Sequence, residues 1–210
     1  MIHDRLYCIL DLGYVAAADA EPVTAALLAG GAGVLQLRAK NRALDLIEAV
    51  ARRVLPLCRA AGVPFILNDH PALAAALGAD GVHLGQDDAD LTSARDLTGS
   101  AMCIGRSTHS LAQARAALAQ GFDYIGFGPL FATPTKAGRP AIGLGDIAAM
   151  ERDVGAHIPA FCIGGIHPAN LPQVLAAGAR RIVMVSALLQ AADIQAATRS
   201  VAATLAASSA

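Results

Sequence analysis

The chain has 210 residues, 55% of them apolar and only 4% aromatic, with a formal net charge of −1. That length suits one domain or at most two small ones, and the aliphatic content is enough for one large core. The charge argues against wholesale attraction to nucleic acid or an anionic membrane; with no apolar run of ~18 residues and no charged-then-apolar leader, a soluble cytoplasmic protein is expected.

LYCILD opens a first strand at 6–11. An Ala/Leu-rich stretch ending LLAGGAG leads to a second at 34–37. LDLIEAVARRVLPLCRAAG then has helical periodicity and a terminal glycine, and VPFILN supplies a third strand at 63–67. AAALGADGVHL carries a fourth at 81–84, AMCIG a fifth at 101–104 and ALAQGFDYIGF a sixth at 123–127. IPAFCIGG and VLAAGARRIVM give the seventh and eighth, at 159–163 and 181–185, and the Ala-rich tail from about residue 203 is expected to fray. One phrase recurs: a helical tail, a glycine (Gly30, Gly78, Gly121, Gly178), a small or acidic residue, then a strand. Glycine there suits a helix C-terminus, where the left-handed conformation carries no Cβ penalty. Short apolar strands alternating with helices imply a helix-covered parallel sheet, and eight units in this length predict one (β/α)₈ barrel over 1–210. A doubly wound open sheet is the alternative. Cys8, Cys58, Cys103 and Cys162 form no C-x-x-C pair and read as buried reduced thiols.

Chemistry in such a barrel belongs at the C-terminal strand ends. There stand Gln36-Leu37-Arg38-Ala39-Lys40, Asn68-Asp69-His70, His83 to Asp88, Gly105 to His109, the loop GFGPLFATPTKAGRP, Gly164-Gly165 and Val185-Ser186. Residues two apart on a strand share a face, so Gln36, Arg38 and Lys40 point together into the mouth. Two inward cations without an apparent structural acid call for an anion, and Lys136 and Arg139 add to them; the alternative is that they extend to solvent. Asp69 and Asp88, on adjacent strand ends with few histidine partners and no cysteine, suit Mg²⁺ rather than Zn²⁺; as helix N-caps they would have a purely structural role. Gly164-Gly165 and Val185-Ser186 follow strands seven and eight, where backbone amides frequently hold phosphate, although a lone glycine pair is also an ordinary turn. His83 and His109 are candidate acids or bases, or packed hydrogen-bonding groups. Two anion sites, one strongly cationic and one neutral, point to a diphosphate and a monophosphate substrate. No Ser-His-Asp or Cys-His nucleophile stands out, which fits chemistry in which diphosphate departs.

QLRAK, ND followed by ADGVHLGQDD, GRSTHS, DYIGFGPLFATPTK, CIGGI and MVSAL occur in the order found in thiamine phosphate synthases. The chain resembles that family from about Leu6 to Leu189. The resemblance implies a (β/α)₈ transferase that joins an aminopyrimidine diphosphate to a thiazole phosphate, by loss of diphosphate and capture of the resulting cation. It implies that Gln36, Leu37, Arg38, Ala39, Lys40, Asn68, Ser107 and Lys136 hold the pyrimidine diphosphate. Arg38, Lys40, Ser107 and Lys136 would be catalytic, Asp69 and Asp88 would bind Mg²⁺, and Thr133, Pro134, Thr135, Gly165, Val185 and Ser186 would surround the thiazole phosphate. Small-molecule substrates, and a homo-oligomer as one option, follow; nucleic acid and membrane do not.

The chain departs from the pattern at His70 and Ala72, where an arginine and an aspartate are usual, and at Arg106, where a smaller apolar residue is common. A thiazole tautomerase of the same barrel type would not need QLRAK, the Asp69/Asp88 pair and TPTK together. A non-catalytic precursor-binding protein would have no use for a metal-diphosphate site.

Overall fold

Short, largely apolar segments three to six residues long build the strands of this computed structural model, which describes residues 2, 4–133 and 140–208. In chain order they are β1 (Leu6–Asp11), β2 (Val34–Arg38), β3 (Phe65–Asn68), β4 (Gly81–Leu84), β5 (Cys103–Thr108), β6 (Tyr124–Phe127), β7 (Ala160–Cys162) and β8 (Ile182–Met184). All pair in parallel, each with the next and β8 with β1, and so close a (β/α)₈ barrel. The helices are α1 (Ala20–Ala29), α2 (Leu44–Ala61), α3 (Pro71–Leu77), α4 (Leu91–Thr98), α5 (Leu111–Gln120), α6 (Ile147–Met150), α7 (Leu171–Ala176), α8 (Ser186–Leu189) and α9 (Ile194–Ala207). Among the described residues no helix is long and apolar enough to cross a membrane.

Strand alternation divides the core in two. Outward residues such as Cys8, Leu35, Leu37, Phe65 and Cys162 pack under the helices in one large cluster. Inward residues form a second: Tyr7, Ile9, Val34, Ile66, Tyr124, Phe161 and Val183 fill the barrel axis, with Ile2 beneath. The Tyr7 and Tyr124 rings stand nearly perpendicular to Phe161, at 83° and 87°. At Gly105, on the inward face of β5, a Cβ would fall inside the Tyr124 ring, so the ring occupies a space that only glycine leaves open. The four cysteines are free thiols; burial pushes those of Cys8, Cys58 and Cys103 up to about 12, which suits packing rather than nucleophilic roles.

Two local expectations are corrected. Gly78, Gly121 and Gly178 do adopt positive φ after their helices, but after α1 the role falls to Gly31 (φ 98), one residue beyond Gly30. Gly30 stays in the helical region and is small for another reason: a Cβ there would meet Thr198 Cβ of α9 at 2.5 Å. Past residue 203 the last helix holds its turns. Leu205 is buried, and the Arg5 guanidinium donates to its carbonyl and to Ser208 Oγ.

Helix α6 runs on through a π-helical turn at Glu151–Gly155. Glu151 is only 4% exposed and accepts from the Arg180 amide at 3.0 Å. Burial raises its carboxyl above the usual range, against the opposing pull of Arg180, Arg181 and Arg5. A raised folded-state value means stability present at acid pH and lost as pH rises through it. Glu151→Gln is therefore expected to match the parent below the unfolded carboxylate range and to exceed it in stability toward neutral pH. Urea unfolding at several pH values checks this; a constant difference would contradict it.

Candidate functional site

The inward residues nearest the C-terminal ends of the strands face a cavity of about 80 Å³, several times the space one water needs. Gln36, Arg38, Asn68, Ser107, Thr133, Gly165, Val185 and Ser186 all line it, so eight residues expected from the sequence converge on one space. Ser107 reaches it because β5 extends to Thr108, in register with β6 through Thr108 opposite Phe127, four residues beyond the expected end. Leu37 and Ala39 alternate with these positions and belong to the outer core, so their side chains face the helical shell. Pro134, Thr135, Lys136 and Arg139 lie outside the described residues.

The two cations expected to lack an acid both have one. Arg38 donates to Asp11 Oδ2, and the pair is nearly enclosed, with side-chain exposures of 15% and 2%. The β1–β2 register puts Asp11 directly opposite Arg38, and Asp11 Oδ1 also accepts from the Gly13 amide at 2.9 Å. Lys40 Nζ lies 2.6 Å from Asp69 Oδ2 at the rim. The anion argument from unpaired charge therefore gives way to another: both cations are held in place beside the cavity by short contacts.

Asp69 and Asp88 are not the N-caps they might have been. Helix α3 begins after His70 with no side-chain cap, and Asp69 sits in the left-handed region (φ 67), its amide donating to the His83 carbonyl at 2.9 Å. The Asp88 carboxylate accepts from the Gly85 amide at 2.6 Å. The two carboxyls are close enough to share a hydrogen bond. Burial raises Asp69, with Lys40 opposing and Asp88 adding to the shift. Burial also works against ionised Asp88, but Asp69, the Gly85 amide and Lys40 together hold it below the usual range.

Arg106, one of the departures, is the clamp of this loop. Its guanidinium donates to the Ala89 and Gln86 carbonyls at 3.0 and 3.1 Å and lies 5.4 Å from the Phe122 ring centre. Gln86 Nε2 in turn donates to the Ser107 carbonyl at 2.5 Å. Arg106→Leu is expected to loosen the segment that carries Asp88 and to speed amide hydrogen exchange across residues 85–89 about tenfold, with the barrel strands unchanged. Hydrogen exchange on the two proteins checks it.

Across the mouth, the segment after β6 is laced to the glycine turn after β7. Leu130 N donates to Ile163 O at 2.9 Å and Phe131 N to Gly164 O at 3.0 Å. Gly164 and Gly165 both have positive φ, and a Cβ at Gly165 would meet Phe131 Cβ at 2.7 Å. The Gly165 carbonyl accepts from Asn170 Nδ2 at 2.9 Å. Thr133, Gly165, Val185 and Ser186 thus form one wall on rigid backbone. His109 packs through Nδ1 against the Gly128 carbonyl. His83 instead bonds Ser107 Oγ and Tyr124 OH, at 2.9 and 3.0 Å.

Sequence reasoning missed Asp11, Tyr7 and Tyr124. The signal is there for two of them, since Tyr7 and Asp11 share a face of β1 by simple alternation.

Known proteins give this arrangement a context. Residues 6–188 match the family model described as thiamine monophosphate synthase. A thiamine-phosphate synthase of Thermus thermophilus is 52% identical over 172 residues, 82% of each chain, and one of Herpetosiphon aurantiacus is 46% identical over 191 residues, 90% of each. Among solved structures, a thiamine phosphate pyrophosphorylase from Pyrococcus furiosus matches with a TM-score of 0.87 at 30% identity, covering 97% of this chain and 96% of that one.

Proposed function

This chain belongs to the thiamine monophosphate synthase family, and we propose that its barrel mouth joins an aminopyrimidine diphosphate to a thiazole monophosphate, releasing thiamine phosphate and pyrophosphate. The observation that carries the site assignment is the pairing of a ring-sized cavity with a charged rim: Arg38 lines the first, and Lys40, Asp69 and Asp88 make up the second.

Gln36, Asn68 and Ser107 hold the pyrimidine, with the backbone of Leu37 and Ala39 running beside it. Arg38, Lys40 and Lys136 take up the negative charge that grows on the departing diphosphate, and Arg38 and Lys40 start from places fixed by Asp11 and Asp69. Thr133, Gly165, Val185 and Ser186, with Pro134 and Thr135, hold the thiazole phosphate so that its ring nitrogen waits at the carbon the diphosphate vacates. The cavity walls keep water away from the same carbon. No side chain needs to attack.

The rim fits a magnesium ion. Two carboxyls close enough to share a hydrogen bond, with an ammonium on one of them, make a place that attracts a cation. Among the described residues no group of three or more His, Cys, Asp or Glu side chains gathers, so water and diphosphate oxygens would complete the shell, as Mg²⁺ commonly has it. When bound there, the ion would help neutralise the leaving diphosphate. A single-domain cytoplasmic enzyme acting on small phosphorylated substrates completes the reading; the tautomerase and binding-protein alternatives are not favoured by relatives named as synthases.

The test is one incubation of purified protein with both substrates, with and without Mg²⁺. Thiamine phosphate formed only with metal is the expected result. Isomerisation of the thiazole precursor without condensation would overturn it.

A further inference from the structure

Four glycines line the cavity among the described residues: Gly126, Gly128, Gly164 and Gly165. At three of them the protein itself takes the place of a side chain. A Cβ at Gly128 would stand 2.0 Å from the Ile163 carbonyl oxygen, one at Gly164 2.4 Å from Pro129 Cα, and one at Gly165 2.7 Å from Phe131 Cβ. Gly126 differs. Beyond its two chain neighbours, the described atoms nearest its Cβ position are His83 Cε1 at 3.6 Å and His83 Nε2 at 3.9 Å, which are ordinary van der Waals distances.

The strand gives no reason for glycine here either. Gly126 lies within β6, in unbroken register opposite Ser107 of β5 and Phe161 of β7, and its φ is not positive. A glycine inside a strand gives up side-chain packing and costs backbone entropy. It marks a bulge, the close approach of another backbone, or the close approach of a ligand. The register excludes a bulge, and no described backbone atom beyond its chain neighbours comes within 4 Å of the Cβ position. A ligand remains. By alternation Gly126 shares the inward face of β6 with Tyr124, which lies one layer deeper. Its side-chain direction aims at β4, toward the half of the cavity lined by Asn68 and Ser107 rather than the half lined by Gly165, Val185 and Ser186.

We propose that Gly126 is a specificity-determining residue, whose missing side chain makes room for one methyl-sized group on the far edge of the pyrimidine ring. The proposal rests on the reading that the aminopyrimidine diphosphate occupies this half of the mouth. A ring held at the rim by its diphosphate, on Arg38 and Lys40, enters the barrel with the carbon opposite the diphosphate arm deepest. There it meets Phe161 beside Gly126 and Tyr124 below. A small apolar substituent on that carbon is buried against aromatic rings and fills the space that Gly126 leaves. Gly126 thus fixes how large that substituent can be and how far down the ring settles.

The test compares Gly126→Ala with the parent in thermal unfolding and in calorimetric binding with Mg²⁺ present. Three compounds are used: the aminopyrimidine diphosphate with methyl on that carbon, its analogue with hydrogen there, and the thiazole phosphate. Alanine should leave the unfolding midpoint at or above the parent's, since it meets no clash and restricts the unfolded chain. It should weaken the methyl compound roughly tenfold, the usual worth of one misplaced methyl group in a pocket, and leave the other two within about threefold. A lower midpoint would overturn the proposal, because the protein would then need the space itself. Equal weakening of both pyrimidines, or of neither, also overturns it and leaves the pyrimidine reading standing. Weakening of the thiazole phosphate alone puts the other ring against Gly126 and sinks it as well. A parent that binds neither pyrimidine marks the failure of the reading itself, and the role of Gly126 goes with it.

Discussion

Asp69→Asn is expected to lower turnover by roughly a hundredfold or more while the protein stays folded. The backbone gives no reason for collapse: Asp69 adopts φ 67, a conformation that asparagine tolerates as well as any residue but glycine. Its amide bond to the His83 carbonyl is kept, since that is a main-chain contact. What disappears is charge. Lys40 loses the carboxylate 2.6 Å away, and Asp88 loses the neighbouring carboxyl that helps hold it below the usual range. If Asp69 and Asp88 hold Mg²⁺ between them, one formal charge of the pair is gone and the metal requirement should rise with the fall in rate. The ion pair with Lys40 is open to solvent on the lysine side, which is 45% exposed, so its loss should cost little and the metal-free variant should unfold close to the parent. Steady-state rates across a magnesium series, with a thermal scan, measure both. A variant of near-normal turnover at ordinary magnesium would remove Asp69 from the site.

The second large effect concerns Arg38. On the proposed reading Arg38→Ala removes a cation beside the leaving group, and it strands Asp11, which at 2% exposure cannot recover its hydration. A buried partner left alone costs about 3–5 kcal/mol, so this variant should lose stability and turnover together. Asp11→Ala with Arg38→Ala separates the two. Taking out both members leaves no orphaned charge, and most of the stability should return, because a buried pair is itself worth little against its desolvation. Turnover should not return, remaining about a hundredfold down, since the missing cation is the functional loss. Urea unfolding and initial rates on the two single variants and the double variant make the comparison. If the double variant were as unstable as Arg38→Ala alone, the pair would not be the cause of the loss.

The barrel was legible because its strands are short, apolar and punctuated, and the inward residues at their ends follow from alternation alone. Gln36 and Arg38 could be placed at one mouth on that basis, and Asn68 and Ser107 by standing at or just past a strand end, although β5 runs further than its apolar core suggests. Partnership was not legible. That Asp11 meets Arg38 depends on the β1–β2 register, and that Lys40 meets Asp69 depends on how two loops leave neighbouring strands. Neither is a property of spacing within one segment. The glycine pair after α1 shows the same limit on a smaller scale: sequence offers two equivalent residues, and the approach of α9 decides which of them turns. The contacts that link Gln36, Tyr7, Tyr124, His83 and Ser107 are further still from view, since these residues sit on β2, β1, β6, β4 and β5 and meet only once the barrel has closed.

Gly105 gives the interior an indirect grammar. The place that would hold its side chain is taken by the Tyr124 ring from the neighbouring strand, and that ring's hydroxyl touches both Tyr7 and His83. A single methyl group added at residue 105 would thus be felt first by a tyrosine, then by a histidine and a serine, without itself approaching any ligand. In a collection of variants of this barrel, a change at that silent position would look like a defect in recognition whose author is hidden.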